Sequence, residues 1–80
     1  MEFSIKSIEK AWKKSGGICE QCSKRLVYLS MDKSDQRGAW NPWDRSGLNG
    51  LGPDTAENCE ILCYQCYLRA RYKTALKNRI

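Results

Sequence analysis

The sequence predicts a small α+β domain with a helix at each end, and three observations predict it. Apolar residues recur at helical spacing over Ile5 to Lys14 and again beyond Cys63; short runs rich in β-branched and aromatic residues lie between; and two C-x-x-C pairs, Cys19/Cys22 and Cys63/Cys66, bracket those runs. With 80 residues, the chain reads as one domain over residues 1–80 with a small core. A chain of this size buries only roughly 60% of its unfolded surface, so a staple is expected.

The first helix opens after Ser4, an N-cap residue, and places Ile5, Ile8 and Trp12 on one face, which reads as core packing. Lys13 and Lys14 fall in its last turn, where the helix dipole favours cations, and Gly16-Gly17 ends it. The first cysteine turn, Cys19-Glu20-Gln21-Cys22, follows. Arg25 to Met31 is short and rich in strand formers, so a strand is predicted there. After the polar turn Asp32 to Gly38, a second extended stretch spans Ala39 to Trp43, and Pro42, lacking an amide hydrogen, confines it to a sheet edge or a bulge.

From Asp44 to Glu57 the composition turns to Gly47, Gly50, Gly52 and Pro53, a loop too long to be idle in a compact domain. Cys59 to Leu62 reads as a short strand. From Cys63 onward a helix is predicted to run to near Arg79, packing through the stripe Tyr64, Leu68, Tyr72, Ala75 and Leu76. Arg69, Lys73 and Lys77 recur on another of its faces.

The two cysteine pairs supply the staple. Each C-x-x-C turn aims two sulfurs at one point, and two turns complete the tetrahedron of soft ligands that zinc accepts. Cys19, Cys22, Cys63 and Cys66 are therefore the candidate ligands of one structural zinc. A site of this kind supplies about 10–16 kcal/mol of apparent free energy, comparable to the stability of a whole domain, so the metal is expected to be part of the fold. Two disulfides fit less well, because the cysteines number five, their spacing is a metal spacing and no secretory segment lies near Met1. An iron–sulfur cluster remains open on four cysteines alone. Cys59 reads as a small buried hydrophobe.

The formal charge of +5 is uneven: residues 1–31 carry +3, residues 32–62 carry −3 and residues 63–80 carry +5. Four thiolates on a divalent ion lower the total by about 2, so attraction to polyanions is moderate. There is no histidine, which removes both the commonest nitrogen ligand of zinc and the commonest general base. No apolar run is long enough to span a bilayer, and the expected location is a reducing cytoplasm.

Four stretches carry a family resemblance: Gly17-Ile18-Cys19-Glu20-Gln21-Cys22, Gly38-Ala39-Trp40, Gly52, and Asn58-Cys59-Glu60-Ile61-Leu62-Cys63-Tyr64-Gln65-Cys66. Together they resemble the zinc-containing branch of the HNH endonuclease family over roughly residues 10–72. The resemblance implies a treble-clef zinc site and a ββα-metal core, with a hairpin and helix held against nucleic acid. It also implies a catalytic Mg or Mn ion if the site is active. At its signature positions the chain departs from the family. Asp44, fourteen residues before Asn58, stands where the family has its general-base histidine, with Trp43 at the preceding metal-binding aspartate; in the adjacent register Arg45 takes the histidine position. Tyr67 stands where Asn or His would hold the catalytic metal, and Leu51 replaces a loop glycine.

Asp44, Asn58 and Tyr67 are thus vestigial catalytic candidates, with simpler readings as a loop or cap residue, a turn residue and a packed aromatic. Loss of a positioned general base costs ~10²–10⁴ in rate. The expected function is nucleic-acid binding, DNA ahead of RNA, through Arg69, Arg71, Lys73, Lys77 and Arg79 on the final helix, without efficient cleavage. Two alternatives stand beside it. One is a protein-interaction module whose contact surface is the acidic middle with its tyrosines and tryptophans. The other is an atypical metal-dependent nicking nuclease using Asp44 and Asn58. Trp40 and Trp43 read first as core material.

Overall fold

The computed structural model describes residues 3–46 and 52–77, and within them the order is helix, hairpin, helix. Helix α1 spans Ile5–Ser15; a single turn of 3-10 helix, Tyr28–Ser30, follows; strands β1 (Trp40–Asp44) and β2 (Cys59–Cys63) pair antiparallel; and helix α2 spans Tyr64–Lys77. The register sets Trp40 against Cys63 and Asp44 against Cys59.

Helix α1 begins as its sequence dictates. The Ser4 hydroxyl accepts from the Ser7 amide, and Gly16 ends the helix in the left-handed conformation, its N–H returning to the Lys13 carbonyl. Its buried face differs from the expected stripe: Ile8 and Ala11 are buried and Trp12 is partly buried, but Ile5 is 60% exposed. Ser7 takes the inward place at the first turn. Its hydroxyl donates to the Asp54 carbonyl at 3.2 Å, and the Ser4 amide donates to the Asp54 carboxylate at 3.0 Å, so polar contacts with the segment before β2 fix the rotation of α1.

The strand expected over Arg25 to Met31 does not form. Arg25 makes an isolated bridge to Ile18, and Tyr28–Ser30 curls into the 3-10 turn. Each backbone group there has a different partner: the Leu26 amide donates to Gly17, the Val27 amide to Gly38, and the Val27 carbonyl accepts from the Trp40 indole at 2.9 Å. A ladder needs one neighbouring strand, and this segment has three separate neighbours. The turn lets Tyr28 join Trp12 and Trp40, with ring centroids 5.3 Å and 6.0 Å away.

Every residue of β2 is buried because both faces of the hairpin are covered. On one face Trp40 meets Trp12 of α1 at 4.7 Å between ring centroids; on the other Trp43 meets Tyr67 of α2 edge-on at 5.8 Å. Trp40 is fully buried and Trp43 partly so. The outer side of β1 beyond Trp40 is open, which agrees with Pro42 in an edge strand.

Helix α2 packs on both strands, but through a different stripe from the one its periodicity suggested. Cys66 is buried, and Tyr67 and Ala70 pack on the core, whereas Leu68, Tyr72 and Leu76 are 38%, 66% and 45% exposed and Ala75 is exposed. Cys66 must face the other cysteines, and that requirement turns Tyr67 and Ala70 inward and the longer stripe outward. Among the described residues no helix is long and apolar enough to cross a membrane.

Candidate metal centre and the Asp44 cluster

The sulfurs of Cys19, Cys22, Cys63 and Cys66 all lie within 4.8 Å of one another, with Cys22 and Cys63 at 3.7 Å. A tetrahedral ion with metal–sulfur bonds of ~2.3 Å requires edges of roughly 3.8 Å, so the four residues fit one ion. The local folding is that of metal-binding turns. The Gln21 amide donates to the Cys19 sulfur and the Cys66 amide to the Cys63 sulfur, each at 3.4 Å, so backbone dipoles oppose negative charge on the first sulfur of each pair. Three of the cysteines are buried and Cys22 is exposed.

The thiols differ in acidity because burial and hydrogen-bond donors are unequally shared among them. Burial is the largest influence on Cys19 and raises its pKa, but amide donors from Cys63, Cys22 and Gln21 outweigh it and bring the thiol down to about 7. Burial and the neighbouring thiols push Cys66 up to about 12, and burial likewise raises Cys63. Four sulfurs this close cannot all be thiolates unless a cation offsets their repulsion, and a divalent ion at their centre would do so.

Cys59 is not part of the cluster. It opens β2 as part of the buried core, 1% exposed, and burial, reinforced by the Glu20 charge, pushes its thiol up to about 12. That environment suits a small apolar filler and not a ligand or nucleophile.

A second set of contacts, which no motif announces, ties the first cysteine turn to β2. Glu20 donates its amide to the Ile61 carbonyl at 2.9 Å and accepts the Ile61 amide on its carboxylate at 2.7 Å. Its other oxygen takes the Arg45 guanidinium at 2.8 Å, and Gln21 donates to Glu60 at 2.6 Å. The only sequence signal for this was an acidic residue inside a C-x-x-C turn.

Two of the three vestigial catalytic candidates meet directly. Asp44, at the end of β1 and 6% exposed, accepts from the Asn58 side-chain amide at 2.8 Å, the Ser46 hydroxyl at 2.6 Å, the Ser46 backbone amide at 3.0 Å and the Gly52 backbone amide at 2.9 Å. Asn58 also donates to the Pro53 carbonyl, so the pair closes the ends of the loop that leaves β1 and returns to β2. Burial raises the Asp44 pKa, but these donors outweigh it and hold the carboxyl well below the usual carboxylate range. A side chain on Gly52 would collide with Ser46 and Asp44. Tyr67 lies apart, packed edge-on against Trp43 with the Arg71 guanidinium 5.7 Å from its ring centroid. Asp44, Tyr67 and Arg71 line one cavity of about 470 Å³ along the open side of β1. Leu51 lies outside the described residues.

Of the basic residues assigned to nucleic acid, Arg69, Arg71 and Lys73 are exposed on α2 but divide between two sides. Arg71 lines the cavity with Asp44, while Arg69 and Lys73 border a smaller one beside Gln21, Trp43 and Glu60. Lys77 is the last residue of α2, and Arg79 lies outside the described residues. No protein-family model, no curated protein and no solved structure matches the chain.

Proposed function

We propose that this is a zinc-stapled domain of treble-clef type, similar to the HNH scaffold, that binds nucleic acid without efficient phosphodiester cleavage. The observation that carries the reading is the placement of α2: two of the four converging cysteines flank its start, and beyond them it presents Arg69, Arg71 and Lys73 with no acidic residue. A rigidly anchored basic helix is a means of meeting a phosphate backbone, and the partner is DNA ahead of RNA.

The Asp44 cluster supports loss of cleavage. A general base must accept a proton from water and a metal ligand must offer a lone pair, yet both oxygens of Asp44 already accept protein hydrogen bonds and its proton affinity is low. Its work is to hold the loop between the strands. The test has two parts on zinc-loaded protein. Duplex DNA titrated at two ionic strengths should lose affinity as salt rises, and plasmid with Mg²⁺ or Mn²⁺ should remain supercoiled. Salt-independent binding would overturn the first half of the reading, and nicking abolished by Asp44→Ala would overturn the second.

A further inference from the structure

We propose that the outward face of α2 is a docking surface for an acidic amphipathic helix of a partner protein. The outward face holds Leu68, Tyr72 and Leu76 at successive four-residue steps, a continuous apolar stripe along a helix of 14 residues. These are half of the large apolar residues that the described surface exposes, and they lie on the side of the helix away from Cys66 and Ala70. Basic residues run along both borders: Arg71 on the Tyr67 side, Arg69 and Lys73 on the side of Gln21 and Glu60. Beyond Ala70 none of the described apolar residues of α2 packs on the core cluster, and Tyr72, Ala75 and Leu76 are exposed.

Charge selects the occupant. An apolar stripe between two basic borders matches a helix with its own apolar stripe between acidic borders, the helix-to-helix mode of recognition. A second copy of this chain docking α2 on α2 would set like charges against each other along both borders. Nucleic acid would engage the arginines and lysine and leave Leu68, Tyr72 and Leu76 without apolar partners. The proposal shares Arg69, Arg71 and Lys73 with the nucleic-acid reading and differs from it in the apolar stripe, so removing that stripe separates the two.

The test uses the full zinc-loaded chain and a synthetic three-heptad peptide with Leu at the a and d positions and Glu elsewhere. Controls are a peptide of the same composition with its Leu residues dispersed, duplex DNA and anionic phospholipid vesicles. The heptad peptide should bind at least about tenfold more tightly than the dispersed one. The triple variant Leu68→Ser/Tyr72→Ser/Leu76→Ser should weaken heptad-peptide binding at least about tenfold and leave DNA affinity, metal content and helicity unchanged. These three side chains are already exposed, so the variant should fold. Equal binding of the two peptides, or an unchanged triple variant, would overturn the proposal. So would self-association, DNA binding or vesicle binding that the triple variant abolishes, because each names a different occupant.

Discussion

Glu20 and Ile61 exchange two hydrogen bonds as if they were neighbours in a sheet, one from backbone to backbone at 2.9 Å and one from the Ile61 amide to the Glu20 carboxylate at 2.7 Å. A side chain thus completes what a third strand would supply, and it does so from inside the first cysteine turn. Glu20→Ala would strand the amide of a fully buried residue at a cost of about 2 kcal/mol. Glu20→Gln keeps an acceptor and loses mainly the partly exposed pair with Arg45, so its cost should stay within about 1 kcal/mol. Denaturant titration of both variants in zinc checks the order; equal losses would assign the effect to charge.

The metal should govern folding as a whole. Purified protein is expected to carry one zinc per chain, and chelation or Cys63→Ser should abolish the cooperative unfolding transition. Cys59→Ala should keep its full zinc content and lose only about 1 kcal/mol, since that thiol lies outside the cluster. Metal analysis with thermal melts decides both; a folded preparation without metal would contradict the first.

Asp44 gives stability a defined acid dependence. Its folded pKa is below the unfolded value of about 3.9, so the carboxylate's contribution is present at neutral pH and fades as pH falls below about 4. Asp44→Asn should cost about 2 kcal/mol at pH 7, because one or more of the donors from Ser46, Gly52 and Asn58 loses its acceptor. The gap between wild type and variant should narrow on acidification. Thiolate protonation affects both proteins alike, so the difference between their unfolding midpoints is the quantity to follow. A gap that does not narrow would remove Asp44 as the cause.

Gly38 meets two constraints at once. It sits at φ +72°, and a β-carbon there would lie 2.7 Å from both the Val27 amide nitrogen and one Val27 methyl. Gly38→Ala should therefore destabilise by at least about 2 kcal/mol and loosen the Tyr28–Trp40 packing, visible in near-ultraviolet circular dichroism. An unchanged spectrum and midpoint would show that the loop after Tyr28 adapts freely.

For the cations of α2, Arg69→Ala, Arg71→Ala and Lys73→Ala should each lower the salt slope of duplex binding by about one unit, with little change between sequences. Fluorescence anisotropy at several ionic strengths measures it. Unchanged slopes in all three would leave the helix without a phosphate contact.

What the sequence disclosed well was local. Both C-x-x-C turns, the Ser4 and Gly16 caps, the edge position of Pro42 and the run Cys59 to Leu62 each have a cause within a few residues. What it concealed depended on distant partners. Arg25 to Met31 has strand composition but no single neighbour to pair with, so it turned on itself around Trp40. The better apolar stripe of α2 lost to the weaker one because Cys66 had to reach Cys19 and Cys22, and no periodicity expresses that demand. Asp44 and Asn58 stood together in the sequence only through the family resemblance. Their mutual hydrogen bond, which makes them loop anchors, required the fold.

The unequal exposure of the four sulfurs gives the candidate metal centre a direction. Of the four, Cys19, Cys63 and Cys66 are enclosed and Cys22 is open to solvent, so chelators, oxidants and competing metals would reach a bound ion from the Cys22 side. Were an ion held there, Cys22 would be the ligand most open to exchange, and Cys19, Cys63 and Cys66 would be the shielded ones. Mass spectrometry after brief alkylation under slow chelation should find Cys22 labelled first, and the domain's lifetime would be set by how often that one side chain lets go.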